Sequence, residues 1–476
     1  MKRKISIKLL FSFLLGVVVS SLNKEALNLN AALLYDEDKI LTPIWEGNEI
    51  YNESVLVIKE KDGTIAPIKL LYDIDEIISV KSATLKNEFK LNEDYKVVEK
   101  KLVIIPSGNI PSISYDTFHP QNGNDGFEDR NGGYIFFNEG AYFHNLQIVI
   151  TYTHSDKYSL YIPKGKGKLL PKTLDKLNNM PKDKEFNILV YGDSISTGAN
   201  SSGHPMINAS PNMPIYPRQV VLGLKQKYKL DNVCLYNASV GGTDSTWGLA
   251  NIRTNIFDKY DVDFDLIIVA FGMNDIKNDA KTVGNNIKRI ATSLLNKYKN
   301  SEVLMIGTML PNPNAINFVG EQEKFYDELV QYEKEGLVAV NITRVHKDLL
   351  KVKRYADLTG NNVNHANDFL ARIYAQTILK TLEVSDYGDK EEPINPDISS
   401  SNSEDNSSSF TIENSSTNNP TSDSSSTITK KGCNGYVSLK YSIIIISFIL
   451  LLLKIKRKES NLWKSKKHFI YYYYQC

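Results

Sequence analysis

The stretch 187-NILVYGDSISTGAN-200 runs apolar from Ile188 to Tyr191, stops at Gly192, and continues through Asp193 and Ser194 into small polar residues. A short apolar run that ends on glycine reads as a buried strand, and Gly192-Asp193-Ser194 reads as the turn that leaves it. Helix N-caps favour the same residue types, so the tripeptide alone marks a strand-to-helix turn. The segment lacks the second glycine of a G-x-S-x-G nucleophile elbow, which argues against a standard α/β-hydrolase.

What surrounds this turn decides its meaning. Buried-type strands are predicted at 186–191, 233–237, 265–271, 303–309 and 337–341, separated by helical patterns. The clearest helix carries Val283, Ile287, Ile290, Ala291, Leu294, Leu295 and Tyr298 on one apolar stripe. Strand and helix in alternation imply an α/β fold, with a parallel sheet covered on both faces. In such sheets reactive groups gather beyond the carboxyl ends of the strands, where Ser194 lies.

Three further stretches fall where a composite site needs them: "LYNASVGGTDS" after the second strand, "IVAFGMND" ending the third, and "GNNVNHANDFLARIYAQ" leading into the last helix. With the Gly-Asp-Ser turn they resemble the four ordered sequence blocks of the SGNH/GDSL hydrolase superfamily, over roughly residues 185–383. The resemblance implies a flavodoxin-like three-layer domain and a serine esterase. It makes Ser194 the nucleophile, His365 the general base, and the amides of Ser194, Gly242 and Asn274 the oxyanion hole. The chemistry agrees, because a serine hydroxyl needs an adjacent base and histidine titrates near working pH.

The superfamily usually has an aspartate three residues before the histidine; here the position is Asn362. An asparagine oxygen can accept the imidazole Nδ1 hydrogen if the amide points oxygen-inward. Asp357 or a backbone carbonyl are the alternatives. Asp193 and Asp275 are expected to hold loops in shape. His204, in the long loop "ANSSGHPMINASPNMPIYPRQ", is expected at the surface of a segment that roofs the cleft.

Ahead of this domain, residues 35–165 contain short β-type runs such as "ESVLVI", "KLVIIP", "YIFFNEG" and "LQIVITYTH", broken by Gly, Pro and Asn clusters. They predict an all-β sandwich. Alternation puts Leu146, Ile148 and Ile150 on one face of the last run and Gln147 and Val149 on the other. Tyr134, Phe136, Phe137, Tyr142 and Phe143 read as core in preference to a carbohydrate platform.

The ends of the chain carry targeting patterns. Residues 1–30 open with Lys2, Arg3, Lys4 and Lys8, followed by an apolar run from Leu9 to Val19, the layout of a signal peptide. Residues 386–435 form a Ser/Thr/Asn tract too poor in apolar residues to fold, a stalk. Residues 436–453 read as a transmembrane helix, with Lys440 near its start, and 454–476 as a basic tail that the positive-inside rule leaves in the cytoplasm. The bulk of the chain is thus expected outside the cell. A motif, an apolar stretch and a basic tail in this order resemble Gram-positive sorting signals, yet there is no Leu-Pro-x-Thr-Gly.

The 56 basic and 55 acidic residues nearly cancel, so no overall field recommends nucleic acid as a partner. Cys234, Cys433 and Cys476 are too scattered for a disulfide framework or a metal site, and no cofactor is expected. The layout, a β-sandwich before an SGNH domain at 185–385, looks like that of bacterial carbohydrate esterases, which remove acetyl groups from polysaccharides. The other expectations are a lipid esterase or lysophospholipase, and an inactive surface adhesin with the β-sandwich as its binding module. The sequence leaves the oligomeric state open.

Overall fold

The computed structural model describes residues 33–385. The expected signal peptide, stalk, apolar segment and basic tail lie outside the described residues. Among the described residues no helix is long and apolar enough to cross a membrane.

The antiparallel region contains β1 (Glu49–Leu56), β2 (Glu76–Ser82), β3 (Glu88–Phe89), β4 (Tyr95–Val98), β5 (Lys101–Ile104), β6 (Gly126–Glu128), β7 (Tyr134–Phe136) and β8 (Gln147–Thr153). One four-stranded sheet has the order β1-β8-β2-β3, while β4-β5 and β6-β7 form two-stranded ribbons. Ile148, Ile150 and Tyr152 on β8 enter the main core, as alternation expects. The opposite face is covered as well: Gln147 is buried, and its Nε2 donates to the carbonyls of Ala356 (3.2 Å) and Thr359 (2.9 Å). The polar face of β8 is therefore a docking face for the segment that precedes His365.

The α/β region contains β9 (Phe186–Gly192), β10 (Val233–Asn237), β11 (Leu266–Ala270), β12 (Glu302–Gly307) and β13 (Leu337–Asn341). All neighbours in this sheet pair in parallel, in the order β10-β9-β11-β12-β13. Numbered within the sheet this is 2-1-3-4-5, the flavodoxin-like order, whose topological switch lies at the carboxyl end of the first strand. The five expected strands are present to within two residues at each end. Helix Ala280–Lys297 buries Val283, Ile287, Ile290, Ala291 and Leu294 against one side of the sheet. Helices Tyr216–Tyr228 and Asp368–Thr381 cover the other.

The two regions share one core and are tied by buried polar contacts. Residues 33–385 fall within one compact unit. Glu53 on β1 accepts from Leu71 N (2.9 Å), from Tyr152 Oη (2.7 Å) and from Lys353 Nζ (2.5 Å). Both members of the Glu53–Lys353 pair are 0% exposed. Nearby, Arg354 bridges Asp357 Oδ1 (2.7 Å) and the Leu56 carbonyl (2.6 Å), and Arg372 donates to the Tyr51 carbonyl (2.6 Å).

Removing one partner of a buried pair leaves the other charge without water or counterion, which costs about 3–5 kcal/mol. Lys353→Met is expected to destabilise by that amount in urea denaturation. Adding Glu53→Gln to it should restore part of the loss, since the stranded charge is then gone.

Candidate active site

The turn after β9 is built by Asp193. Its Oδ1 caps the helical turn Ser194–Thr197 by accepting from Ile195 N (3.0 Å), and its Oδ2 accepts from Met273 N (3.3 Å), beyond β11. Asp193 thus locks two strand ends together. Burial pushes its carboxyl up to about 7 despite those donors. Asp275 does equivalent work one turn along, accepting from Ser245 N (2.9 Å), Ser245 Oγ (2.6 Å) and Asn278 Nδ2 (2.8 Å). Both aspartates hold loops, as the sequence suggested, and neither touches the histidine.

The parallel ladder continues past β10. Ala238 N donates to the Val190 carbonyl (2.8 Å) and Val240 N to the Gly192 carbonyl (3.0 Å). This carries Gly241 and Gly242 alongside Ser194; a Cβ on Gly241 would lie 3.7 Å from that of Ser194. Gly242 has φ +74°, a conformation glycine adopts without strain. Asn274, beyond β11, donates from Nδ2 to the Thr243 carbonyl (2.9 Å), which leaves its second amide hydrogen unspent on that contact. Ser194, Gly242 and Asn274 therefore converge at the carboxyl ends of three adjacent strands.

His365 arrives from the far end of the chain. Its Nε2 lies 2.9 Å from Ser194 Oγ, and its Nδ1 lies 2.6 Å from Asn200 Oδ1. The orientation of the Asn200 amide follows from its other side. Asn200 Nδ2 donates to the Gly140 carbonyl (3.0 Å), which can only accept, so the oxygen must face the ring. Nδ1 then carries the hydrogen, and the lone pair on Nε2 faces the Ser194 hydroxyl. Asn361 Nδ2 also lies 3.1 Å from Nδ1, but its hydrogens have acceptors in Asn364 Oδ1 (2.9 Å) and Glu139 Oε1 (3.3 Å).

The expectation that Asn362 orients the histidine is corrected by this geometry. Its Nδ2 donates to the Phe136 carbonyl on β7 (3.0 Å), away from the ring, and its own carbonyl accepts from Asn312 Nδ2 (2.8 Å). Asp357 is likewise elsewhere, held by Arg354 and by Leu56 N (2.9 Å). Asn200 takes the place at Nδ1. Nothing in the sequence separates it from the other asparagines of its loop, because its proximity to His365 depends on a close approach at Gly360. A Cβ there would lie 2.5 Å from Asn200 Cβ, so only glycine fits. His204 is half-buried; burial, and then the nearby His365, lower its basicity. Phe136 and Phe143 are core, as expected, in a small cluster with Leu56, Ile113 and Ala356 at the junction of the two regions.

Two asparagines thus separate in role. Asn200→Ala is expected to lower kcat about 10²-fold with KM little changed, because the orienting contact acts on the base in the transition state. Asn362→Ala is expected to cost about 1–3 kcal/mol in thermal or chemical denaturation, by stranding the Phe136 carbonyl and straining a residue at φ +69°, with kcat close to that of the parent. The reverse ranking would return the orienting role to Asn362.

Residues 190–367 match the model of the GDSL-like lipase/acylhydrolase family. No curated protein matches the chain significantly. Among solved structures, a two-domain esterase active on acetylated mannans is 21% identical over 49% of this chain and 58% of its own, with a TM-score of 0.34, so the chain spans little more than half of that protein. An acetylxylan esterase from Geobacillus stearothermophilus is 14% identical over 43% of this chain and 98% of its own, with a TM-score of 0.34. A putative platelet activating factor from Streptococcus pneumonia is 17% identical over 46% and 92%, with a TM-score of 0.30. The serine and histidine that meet at the switch point of the 2-1-3-4-5 sheet both lie inside the stretch that matches the GDSL-like lipase/acylhydrolase family.

Proposed function

We propose that this protein is a serine esterase that removes O-acetyl groups from a polysaccharide through an acyl-enzyme on Ser194. The observation that carries the reading is the 2.9 Å contact from Ser194 Oγ to a histidine nitrogen whose ring partner is already occupied. Ser194 Oγ attacks the ester carbonyl carbon as its proton passes to His365 Nε2. The sugar hydroxyl leaves with that proton, and a water activated by the same nitrogen then releases acetate. The amides of Ser194, Gly242 and Asn274 receive the oxyanion, each such donor being worth roughly 10²–10³-fold.

Support for a short acyl group comes from the residues around Ser194 and His365. Gly241, Asn200, Asn361 and Glu139, which lie against Ser194 or His365, are small or polar. Such walls hydrogen-bond sugar hydroxyls and bury few methylenes, and each methylene left in water forgoes about 0.8 kcal/mol. In the same reading the enzyme is exported and tethered to the cell surface. The basic, apolar start at 1–30 and the apolar 436–453 before a basic tail support that topology.

A series of nitrophenyl esters from acetyl to octanoyl, alongside an acetylated glycan and a lysophospholipid, tests the substrate. The expected result is the highest kcat/KM for acetyl, falling past butyryl; a rise toward octanoyl would favour a lipid esterase. Ser194→Ala should lose at least about 10³-fold while melting as the parent does, and full activity in that variant would end the serine-esterase reading. Protease added to intact cells should release an active fragment. Protection of the stalk until lysis would reverse the topology.

A further inference from the structure

We propose that Glu139, contributed by the antiparallel region, is a positioning residue for His365 that supplies the negative charge missing from the histidine's own loop. The proposal rests on the serine-esterase reading of Ser194 and His365 and adds a group which that reading does not use. Glu139 follows β7 and brings Oε2 to 3.7 Å from His365 Nδ1. At that separation it is not the hydrogen-bond partner of the ring, a place Asn200 Oδ1 already fills. It acts through space, as a charge beside a ring that becomes cationic during attack.

Several contacts hold the carboxylate there. Asn361 Nδ2 donates to Glu139 Oε1 (3.3 Å), and the next carbonyl, of Gly140, accepts from Asn200 Nδ2 (3.0 Å). One short segment therefore sets both the orientation of the Asn200 amide and the charge behind it. Burial pushes the Glu139 carboxyl up, but His365, with the amides of Asn361 and Asn200, outweighs burial and holds the carboxyl below its ordinary range. The segment is fixed from below, since Asn362 bonds the Phe136 carbonyl and Phe127 on β6 meets Phe318 edge-on at 4.7 Å.

The other titratable group facing the ring is His204, from the loop after the Ser194 turn. Ser194, Asn200 and Asn361 also approach the ring nitrogens, without charge. Glu139 is thus the one anionic side chain among the described residues recorded in contact with the ring. An aspartate in the histidine loop would act by hydrogen bond and charge together; here Asn200 provides the first and Glu139 the second.

A unit charge at this distance, screened as by water because the side chain is 53% exposed, moves a pKa by a little under about one unit. Glu139→Gln is therefore expected to lower kcat about five- to tenfold at low salt with KM little changed. It should also move the acid limb of the kcat/KM profile to lower pH by roughly the same fraction of a unit. Both effects should shrink in 1 M salt, and Glu139→Asp should recover part of each. The exposed carboxylate carries little packing, and an unchanged melting temperature in Glu139→Gln verifies that the fold is intact. Parent kinetics and an unmoved acid limb in Glu139→Gln would overturn the proposal. A fall in kcat without any shift of the limb would also overturn it, by showing a merely structural role. Ser194→Ala, run in parallel, separates the two failures: activity surviving there overturns the serine-esterase reading itself.

Discussion

The site depends on the buried side chain of Asn361. Its Oδ1 accepts from the amides of Val363 (3.0 Å), Asn364 (3.0 Å) and His365 (3.1 Å), while Thr359 Oγ1 accepts from Asn361 N (3.2 Å) and Asn362 N (2.9 Å). A loop without helix or strand has here satisfied its buried backbone donors with two side chains. Otherwise each would cost about 1–3 kcal/mol. Because that loop is fixed, the histidine it ends on is fixed, and the 2.9 Å contact to Ser194 follows.

The same constraint explains the asparagine at 362. That residue sits at φ +69°, a left-handed conformation that asparagine tolerates better than most side chains. Its amide must donate to the Phe136 carbonyl, and an ionised carboxylate has no hydrogen to give. Docking the β6-β7 ribbon against the histidine loop therefore removes the place an aspartate would occupy. It also brings the Gly140 carbonyl to the Asn200 amide and Glu139 to within 3.7 Å of the ring. The docking of the ribbon and the polar surroundings of His365 are one structural event.

That event requires the antiparallel region to be rigidly joined to the α/β region. Glu53 and Lys353, both without solvent contact, sit between β1 and the segment leading to His365. A buried pair of this kind adds little net stability over apolar residues, but a misdocked arrangement would strand two charges. The antiparallel region is accordingly part of the active site's framework, and Ser54, Leu56 and Gln147 all bond the segment 356–367.

The α/β fold could be read from the chain alone, because five apolar runs and the helical stripe through Val283 and Ile290 are local patterns whose period reports burial directly. That Ser194, Gly242, Asn274 and His365 lie near one another was legible for a related reason: each follows a strand end or precedes a helix, so order along the chain mirrors order in space. Asn200, Glu139 and the true surroundings of Asn362 were not legible. Their roles come from which face of β8 is covered, from a glycine at 360 that admits Asn200, and from the direction of an amide set by the Gly140 carbonyl. Those are contacts across 60 to 226 residues of chain, made by polar side chains with no periodicity of their own, so no local pattern announces them.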